Sequence, residues 1–347
     1  MSISVLVVDD SAVMREVLSR MLAREGDITV VGTAIDPLDA RVKIKELHPD
    51  VVTLDIEMPG MNGLAFLDRL MRLHPLPVVM VSTLTTKTAS ETLLALELGA
   101  VDFVPKPSSR GGGLEAFGPT LRDKVRAAAA SRIGVREQRA PPSNVPLSTA
   151  AGPDGAVIAI GASTGGVEAI RVVLSELPAD CPPVLIAQHM PQGFTGRFAA
   201  RLNELSPLTV VEAEDGMPLA IGHAYVARGD YHLRVERRSG QLRCRLGLEE
   251  AVSGHRPSVD VLFDSVAATI GPLATGVILT GMGRDGAHGL KRMREAGGFT
   301  IGQSPSSALV YGMPRVAFEE GAVVEQLAVE HISRRLAAAL SRLKSAA

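Results

Sequence analysis

Residues 5–22 read VLVVDDSAVMREVLSRML. Four apolar residues run into two acids and a serine, and from Ala12 onward apolar positions recur at helical spacing. A buried strand that hands acids to a loop just before a helix is the first half of a βα unit. The same pattern repeats outward. Short apolar runs at Ser4–Val8, Thr29–Gly32, Val51–Leu54, Val78–Val81 and Asp102–Val104 alternate with amphipathic stretches at Ala12–Arg24, Leu38–Leu47, Leu64–Leu73 and Ser90–Leu98. A fifth helix is expected over Leu114–Arg132. Five strands alternating with helices predict a parallel, doubly wound sheet.

The stretch Gly134–Gly155, GVREQRAPPSNVPLSTAAGPDG, is rich in Pro, Ser, Gly and Ala and reads as a linker. Alternation resumes at Ala156. Strands are expected at Val157–Ile160, Val184–Gln188, Thr209–Glu212 and Gly276–Leu279. Helices fit Val167–Leu177, Arg197–Leu205, Val259–Ile270, His288–Ala296 and Glu330–Leu343. Between them Ala224–Ala227, His232–Val235 and Leu242–Leu246 read as short antiparallel strands. The expected fold class is therefore α/β, with two doubly wound, mostly parallel-sheet domains, the second carrying an antiparallel hairpin. The expected boundaries are 1–132, a linker at 133–154, and 155–347.

Composition agrees. The 347 residues are 46% hydrophobic but only 3% aromatic, with no Trp. Such cores are built from Val, Ala, Leu and Ile, as buried parallel strands are. Lys and Arg number 36 against 38 Asp and Glu, so nothing suggests nucleic-acid binding. Cys181 and Cys244 are too few for a disulfide framework and read as buried, inert thiols. No apolar run reaches the roughly 18 residues of a membrane span, and no basic region precedes the first apolar stretch. A cytoplasmic protein without membrane insertion is expected.

The first 110 residues hold 11 bases and 15 acids. Asp9 and Asp10 end the first strand, and Asp55 follows the third. Ligands of open parallel sheets bind beyond the carboxyl ends of the strands, so these carboxylates should converge. Like charges held together call for a cation, and oxygen-only ligation suits Mg²⁺. Ser82 follows the fourth strand and Lys106 the fifth. Acids, hydroxyl and lysine at successive strand ends make a phosphoryl-accepting site. A single Asp after a strand is more often a turn former or helix cap; five matching positions are not.

The second domain opens with VIAIGASTGGVEAI, residues 157–170. Its glycines do not give the G-x-G-x-x-G of a dinucleotide-binding turn. They do give G-x-S-x-G at Gly161, Ser163 and Gly165, which can expose a serine hydroxyl at a strand-to-helix turn. By itself that motif is weak, and it needs a base and an orienting acid. His189 follows the next strand and should meet Ser163 at the same sheet edge. Asp285 lies beyond another strand, where it equally fits an N-cap for the helix near His288. The resulting order, Ser–His–Asp, differs from the Ser–Asp–His of α/β-hydrolases. His288 competes as base, but it would have to fold back over its own turn. His255 could touch substrate or merely stabilise its loop. His48 and His74 (first domain), His232 (hairpin) and His331 (last helix) are weaker candidates. A regulator whose second domain only binds a partner would not need the Ser/His/Asp set.

The N-terminal residues VLVVDDSAVMR, VVTLDIEMPGMNG, PVVMVST and VDFVPKP resemble the receiver domain of two-component response regulators, a flavodoxin-like fold. The resemblance implies phosphorylation of Asp55 by a histidine kinase of the CheA type. It implies Mg²⁺ held by Asp10, Asp55 and the backbone carbonyl of Glu57, with Asp9 helping. Ser82, Phe103 and Lys106 take the family's switch positions. With the receiver upstream, IGASTGGVEAI, QHMPQGFTGRFAARLN, AEDGMPL, HRPSVDVLF, LTGMGRDGA and YGMPRVAFEEGAV resemble the CheB family of chemotaxis protein-glutamate methylesterases and glutamine deamidases. That resemblance covers nearly the whole chain except the linker.

It implies catalytic Ser163, His189 and Asp285, an oxyanion held by backbone N–H groups near Thr164 and Met282, and no cofactor for ester hydrolysis. The implied substrates are glutamate methyl esters and glutamines of methyl-accepting chemotaxis receptors. It departs from the family at Ala227-Arg228, where Ala-Pro is common. The joining of the two domains suggests that the unphosphorylated receiver restrains the hydrolase and that phosphoryl-Asp55 lifts the restraint.

Overall fold

The apolar runs become parallel strands because both of their faces are covered. β3 (Val51–Asp55) and β4 (Val78–Ser82) are buried along their whole length. The computed structural model describes residues 2–58, 62–83, 86–107, 113–131 and 152–346. The chain divides into two units, Met1–Arg139 and Ala140–Ala347.

In the first unit the remaining strands are β1 (Ile3–Val8), β2 (Ile28–Ala34) and β5 (Asp102–Pro105). They form one sheet of order β2-β1-β3-β4-β5, parallel throughout. The helices are α1 (Ala12–Leu22), α2 (Pro37–Leu47), α3 (Gly63–Leu73), α4 (Thr86–Glu97) and α5 (Gly113–Ala129). Three start on side-chain caps: Ser11 for α1, Asp36 for α2 and Asn62 for α3 accept from backbone N–H groups of the first turn. The strand order reverses beside β1, so the carboxyl ends of β1 and β3 open onto one crevice.

The second unit has a seven-stranded sheet of order β14-β13-β12-β6-β7-β9-β8. Its strands are β6 (Val157–Ala162), β7 (Val184–Gln188), β8 (Thr209–Glu212), β9 (His223–Val226), β12 (Ala274–Ile278), β13 (Phe299–Gln303) and β14 (Glu325–Leu327), and every pairing is parallel. β10 (His232–Arg238) and β11 (Gln241–Gly247) form a separate antiparallel hairpin. The helices are α6 (Gly166–Glu176), α7 (Thr195–Leu205), α8 (Val259–Ile270), α9 (Ala287–Glu295), α10 (Met313–Glu319) and α11 (Val329–Ala346). Val259, Leu262 and Phe263 of α8 pack with Leu233, Val235 and Cys244 of the hairpin and with Val157 and Leu185 of the sheet. Each such side chain contributes on the order of 1.5–3 kcal/mol by leaving water. Both cysteines are buried, which pushes their thiols up to about 12, so they stay inert at neutral pH.

One expectation needs correction. The segment Ala224–Ala227 is not part of an antiparallel set: β9 pairs parallel with β7 and β8. Ala224, Tyr225 and Val226 are all buried, as a strand covered on both faces requires, whereas the hairpin alternates Leu and Val with Arg and Glu. The strands β13 and β14 and the short helix α10 have no counterpart in the sequence reading. The expected linker at 133–154 lies outside the described residues except for its last three.

Candidate active site

β6 ends at Ala162, and the chain turns at once into α6. Gly165 sits at φ +78 and caps α6, and a Cβ there would strike Leu309 at 2.8 Å. Only glycine suits that conformation. The turn closes through the Gly166 N–H on the Ser163 carbonyl at 2.7 Å, and the Ser163 N–H donates to Thr280 O at 3.0 Å. Ser163 is thus fixed by its backbone, with its own N–H already committed. Gly281, one residue past Thr280, leaves room beside it: a Cβ there would lie 2.7 Å from Ser163 Cβ. Met282 follows and is partly exposed, while Thr164 is buried and its carbonyl accepts from Thr280 Oγ1 at 2.9 Å.

The sheet register brings in His189. Ala162 is opposite Gln188, so Ser163 and His189 come next on neighbouring strands. The His189 N–H donates to Ala162 O at 3.1 Å. Gln188, buried, donates through Nε2 to the carbonyls of Ser163 at 3.0 Å and His189 at 3.2 Å. One carboxamide therefore ties both backbones together.

Asp285 arrives from β12. Its Oδ2 lies 2.8 Å from His189 Nε2. The His189 side chain is 6% exposed and that of Asp285 1%, so water is largely excluded. His189 Nδ1 is buried and has no hydrogen-bond partner.

Asp285 does not cap its own helix; Gly286 is the residue before α9. Its carboxylate instead lies at the start of α8, accepting from Ser258 Oγ (2.8 Å), Val259 N (2.7 Å) and Asp260 N (3.1 Å). The N-terminal dipole of α8 favours a negative charge there. Burial alone would raise the Asp285 pKa, but His189, Val259 N–H and Ser258 outweigh it and hold the carboxyl at about 2. The cost falls on Asp260. Burial, helped by repulsion from Asp285, pushes its carboxyl up to about 6, although Gly289 N–H donates to it at 2.7 Å.

Sequence reading missed Gln188, Gly281 and the role of Ser258. Ser258 was recognisable as an N-cap, but nothing local says that its hydroxyl also serves Asp285. His232, on the hairpin, is fully buried, accepts from Ser258 N at Nδ1 and lies 3.0 Å from Glu250 O through Nε2. His288 is exposed and faces Glu320 at 3.4 Å, beside the Arg284–Glu320 ion pair of 3.0 Å. His255 stacks on His189.

In the first unit, Asp9, Asp10 and Asp55 bring carboxylate oxygens within 4.8 Å of one another. Lys106 Nζ lies 2.8 Å from Asp9 and 2.7 Å from Asp55. One ammonium cannot balance three carboxylates, and the donors are all oxygen, so the set fits a small hard dication. Burial raises the Asp55 pKa, with Asp9 acting in the same direction and Lys106 against. Burial disfavours the Lys106 charge, but its two ion pairs prevail and raise its pKa. Glu57 follows within the turn, its N–H 3.4 Å from Asp55 Oδ1. Ser82 lies at the end of β4 with its hydroxyl bonded to Thr92 on α4 at 3.0 Å. Phe103 is buried on β5. Among the described residues no helix is long and apolar enough to cross a membrane.

The family model described as CheB methylesterase matches residues 158–336, and that of the response regulator receiver domain matches residues 5–117. A protein-glutamate methylesterase/protein-glutamine glutaminase 1 from Caulobacter vibrioides is 55% identical over 335 residues, 96% of this chain and 97% of that protein. The protein-glutamate methylesterase/protein-glutamine glutaminase of Escherichia coli K12 is 49% identical over 343 residues, 98% of this chain and 97% of its own length. Among solved structures, the CheB methylesterase catalytic domain of Thermotoga maritima is similar at a TM-score of 0.52 and 36% identity. It covers 53% of this chain and 98% of its own.

Proposed function

The chain belongs to the CheB methylesterase family, and we propose that it removes methyl groups from glutamate side chains of chemoreceptors through Ser163, His189 and Asp285. It is a hydrolase, a protein-glutamate methylesterase and protein-glutamine glutaminase joined to a receiver domain. Residues 155–347 form the catalytic domain, residues 1–132 the receiver, and residues 133–154 the linker. Its place is the cytoplasm, where it meets the receptor's methylated helices.

Ser163 Oγ attacks the side-chain carbonyl carbon, and its proton passes to His189 Nδ1. The tetrahedral oxyanion is received by backbone N–H groups near Thr164 and Met282, each worth about 3 kcal/mol. The bond between the former carbonyl carbon and the methoxy oxygen then breaks, and that oxygen takes the proton back from His189 as methanol leaves. Water attacks the acyl-serine while His189 accepts its proton, and the Ser163 oxygen departs with that proton. A receptor glutamine follows the same path with ammonia as leaving group. Asp285 keeps His189 oriented and stabilises its imidazolium form. The ester chemistry proceeds on these residues.

In the receiver, Asp55 is the phosphoryl acceptor, and a histidine kinase of the CheA type is the donor. Asp9, Asp10, Asp55 and the Glu57 carbonyl would hold Mg²⁺, which neutralises charge on the phosphoryl oxygens when bound. Lys106 supplies a second positive charge to the phosphoryl group. Ser82 and Phe103 respond to its arrival, and the hydrolase is activated.

The observation that carries the catalytic reading is the buried 2.8 Å His189–Asp285 bond, set beside a serine fixed on the adjoining strand. Ser163→Ala is its test. Methanol release from methylated receptor should fall at least about 10³-fold, while phosphorylation of Asp55 is unchanged. Retained hydrolysis would remove Ser163 as nucleophile.

A further inference from the structure

We propose that His255 is a positioning residue for His189: its imidazole lies flat against the His189 ring and fixes the plane in which that ring works. The inference rests on the reading of His189 as the base. The two ring centroids are 3.7 Å apart and the planes are 13° from parallel. That is full van der Waals contact, face to face.

His189 needs such a constraint. The terminal torsion of a histidine side chain is broad, and one hydrogen bond from Nε2 to Asp285 leaves the ring able to rock about that bond. Rocking moves Nδ1, the atom that must receive the serine proton. A flat surface against the ring face removes that freedom without taking up either nitrogen.

The segment that carries His255 is braced on every side. Val252 and His255 exchange both backbone hydrogen bonds, at 3.1 and 3.0 Å, around a tight turn. Ser253 and Gly254 in that turn both have positive φ, at 54° and 78°. The Arg256 guanidinium donates to the carbonyls of Leu248 (3.0 Å) and Glu249 (2.9 Å). His232 lies 3.0 Å from Glu250 O through Nε2 and accepts from Ser258 N at 3.2 Å. Three residues after His255, Ser258 starts the set of donors that grips Asp285. A single rigid stretch, 255–260, thus holds the face of His189 with its first residue and the carboxylate of Asp285 with its last three. The His189–Asp285 pair is clamped as a unit.

The test compares kcat and KM for methanol release from methylated receptor in the full chain, with urea unfolding alongside. His255→Phe keeps a flat ring; His255→Leu and His255→Ala do not. Leu and Ala should each lower kcat about tenfold with KM within about twofold, while Phe stays within about threefold of the parent. Should Ala fail to fold, the Phe and Leu pair carries the comparison. Parental kcat in folded Leu or Ala, a loss carried by KM, or a Phe variant as slow as Leu would each overturn the proposal. A parent chain that releases no methanol would overturn the proposed function and this inference with it.

Discussion

His189 and Asp285 are 96 residues apart in sequence and 2.8 Å apart in space, and the same carboxylate that meets His189 closes the first turn of α8. Orientation of the His189 ring and integrity of a helix start therefore depend on one side chain. This coupling sets the first two predictions.

Asp285→Asn should preserve much of the hydrogen bonding but lose the charge that supports imidazolium. By the measured behaviour of such triads, kcat should fall on the order of 10⁴-fold. Stability should change with a definite pH dependence. The Asp285 carboxyl is held at about 2 in the folded chain, below its unfolded value. Its contribution, about 2 kcal/mol, is present above pH ~4 and lost as pH falls through 2. Urea unfolding should show the Asn variant less stable at pH 5, with the gap narrowing toward pH 2. A gap that does not narrow would contradict this assignment.

Asp260 predicts the opposite sign. Its carboxyl is pushed up to about 6, so the folded state holds its proton better than the unfolded chain does. That contribution is present below pH ~4 and disappears as pH rises through 6. At pH 7.5 the buried charge is a net cost. Asp260→Asn keeps an acceptor for Gly289 N–H and should stabilise the protein by about 2 kcal/mol at pH 7.5. The gain should vanish below pH 4. No gain at pH 7.5 would show that Asp260 is stabilised as an anion.

Lys106 holds two buried acids at 2.8 and 2.7 Å. Lys106→Met should destabilise the receiver by about 3 kcal/mol, since Asp9 and Asp55 are left without their cation. Millimolar Mg²⁺ should recover part of that loss in thermal unfolding, and Asp55→Asn should weaken the Mg²⁺ response. Phosphoryl transfer from acetyl phosphate should require Mg²⁺ and Asp55, and EDTA should stop it. Phosphorylation of the Asp55→Asn chain would place the acceptor elsewhere.

The unit Ala140–Ala347 contains the whole Ser163–His189–Asp285 set. If the unphosphorylated receiver restrains it, residues 140–347 alone should demethylate receptor about tenfold faster than the unphosphorylated full chain, a differential of about 1.4 kcal/mol. Equal rates would remove the restraint from the account.

Much of this was legible in the residues because parallel βα units put loop residues at one edge. The apolar runs ending in Asp9, Asp55, Ser163 and His189 identify strand ends, and strand ends converge. The residues that finish the site follow no such period. β9 reads as a hairpin strand until its burial on both faces shows that it belongs to the main sheet. β14, three residues at the sheet edge, is too brief for a pattern, and β13 beside it mixes Thr, Gly and Gln with only two large apolar residues. Asp285 looks like the cap of the helix that follows it, and only packing shows that it serves α8 instead. Ser258, Gln188 and His255 are ordinary loop and strand-end residues in one dimension. The sequence by itself determined the layered α/β architecture and which candidate groups stand at the strand ends, because local hydrophobic periodicity dictates which segments are strands and where each ends. The tertiary structure decided strand order, the owner of the Asp285 carboxylate and the neighbour of the His189 ring. Those depend on contacts between segments tens of residues apart, which side-chain packing selects and no local pattern encodes.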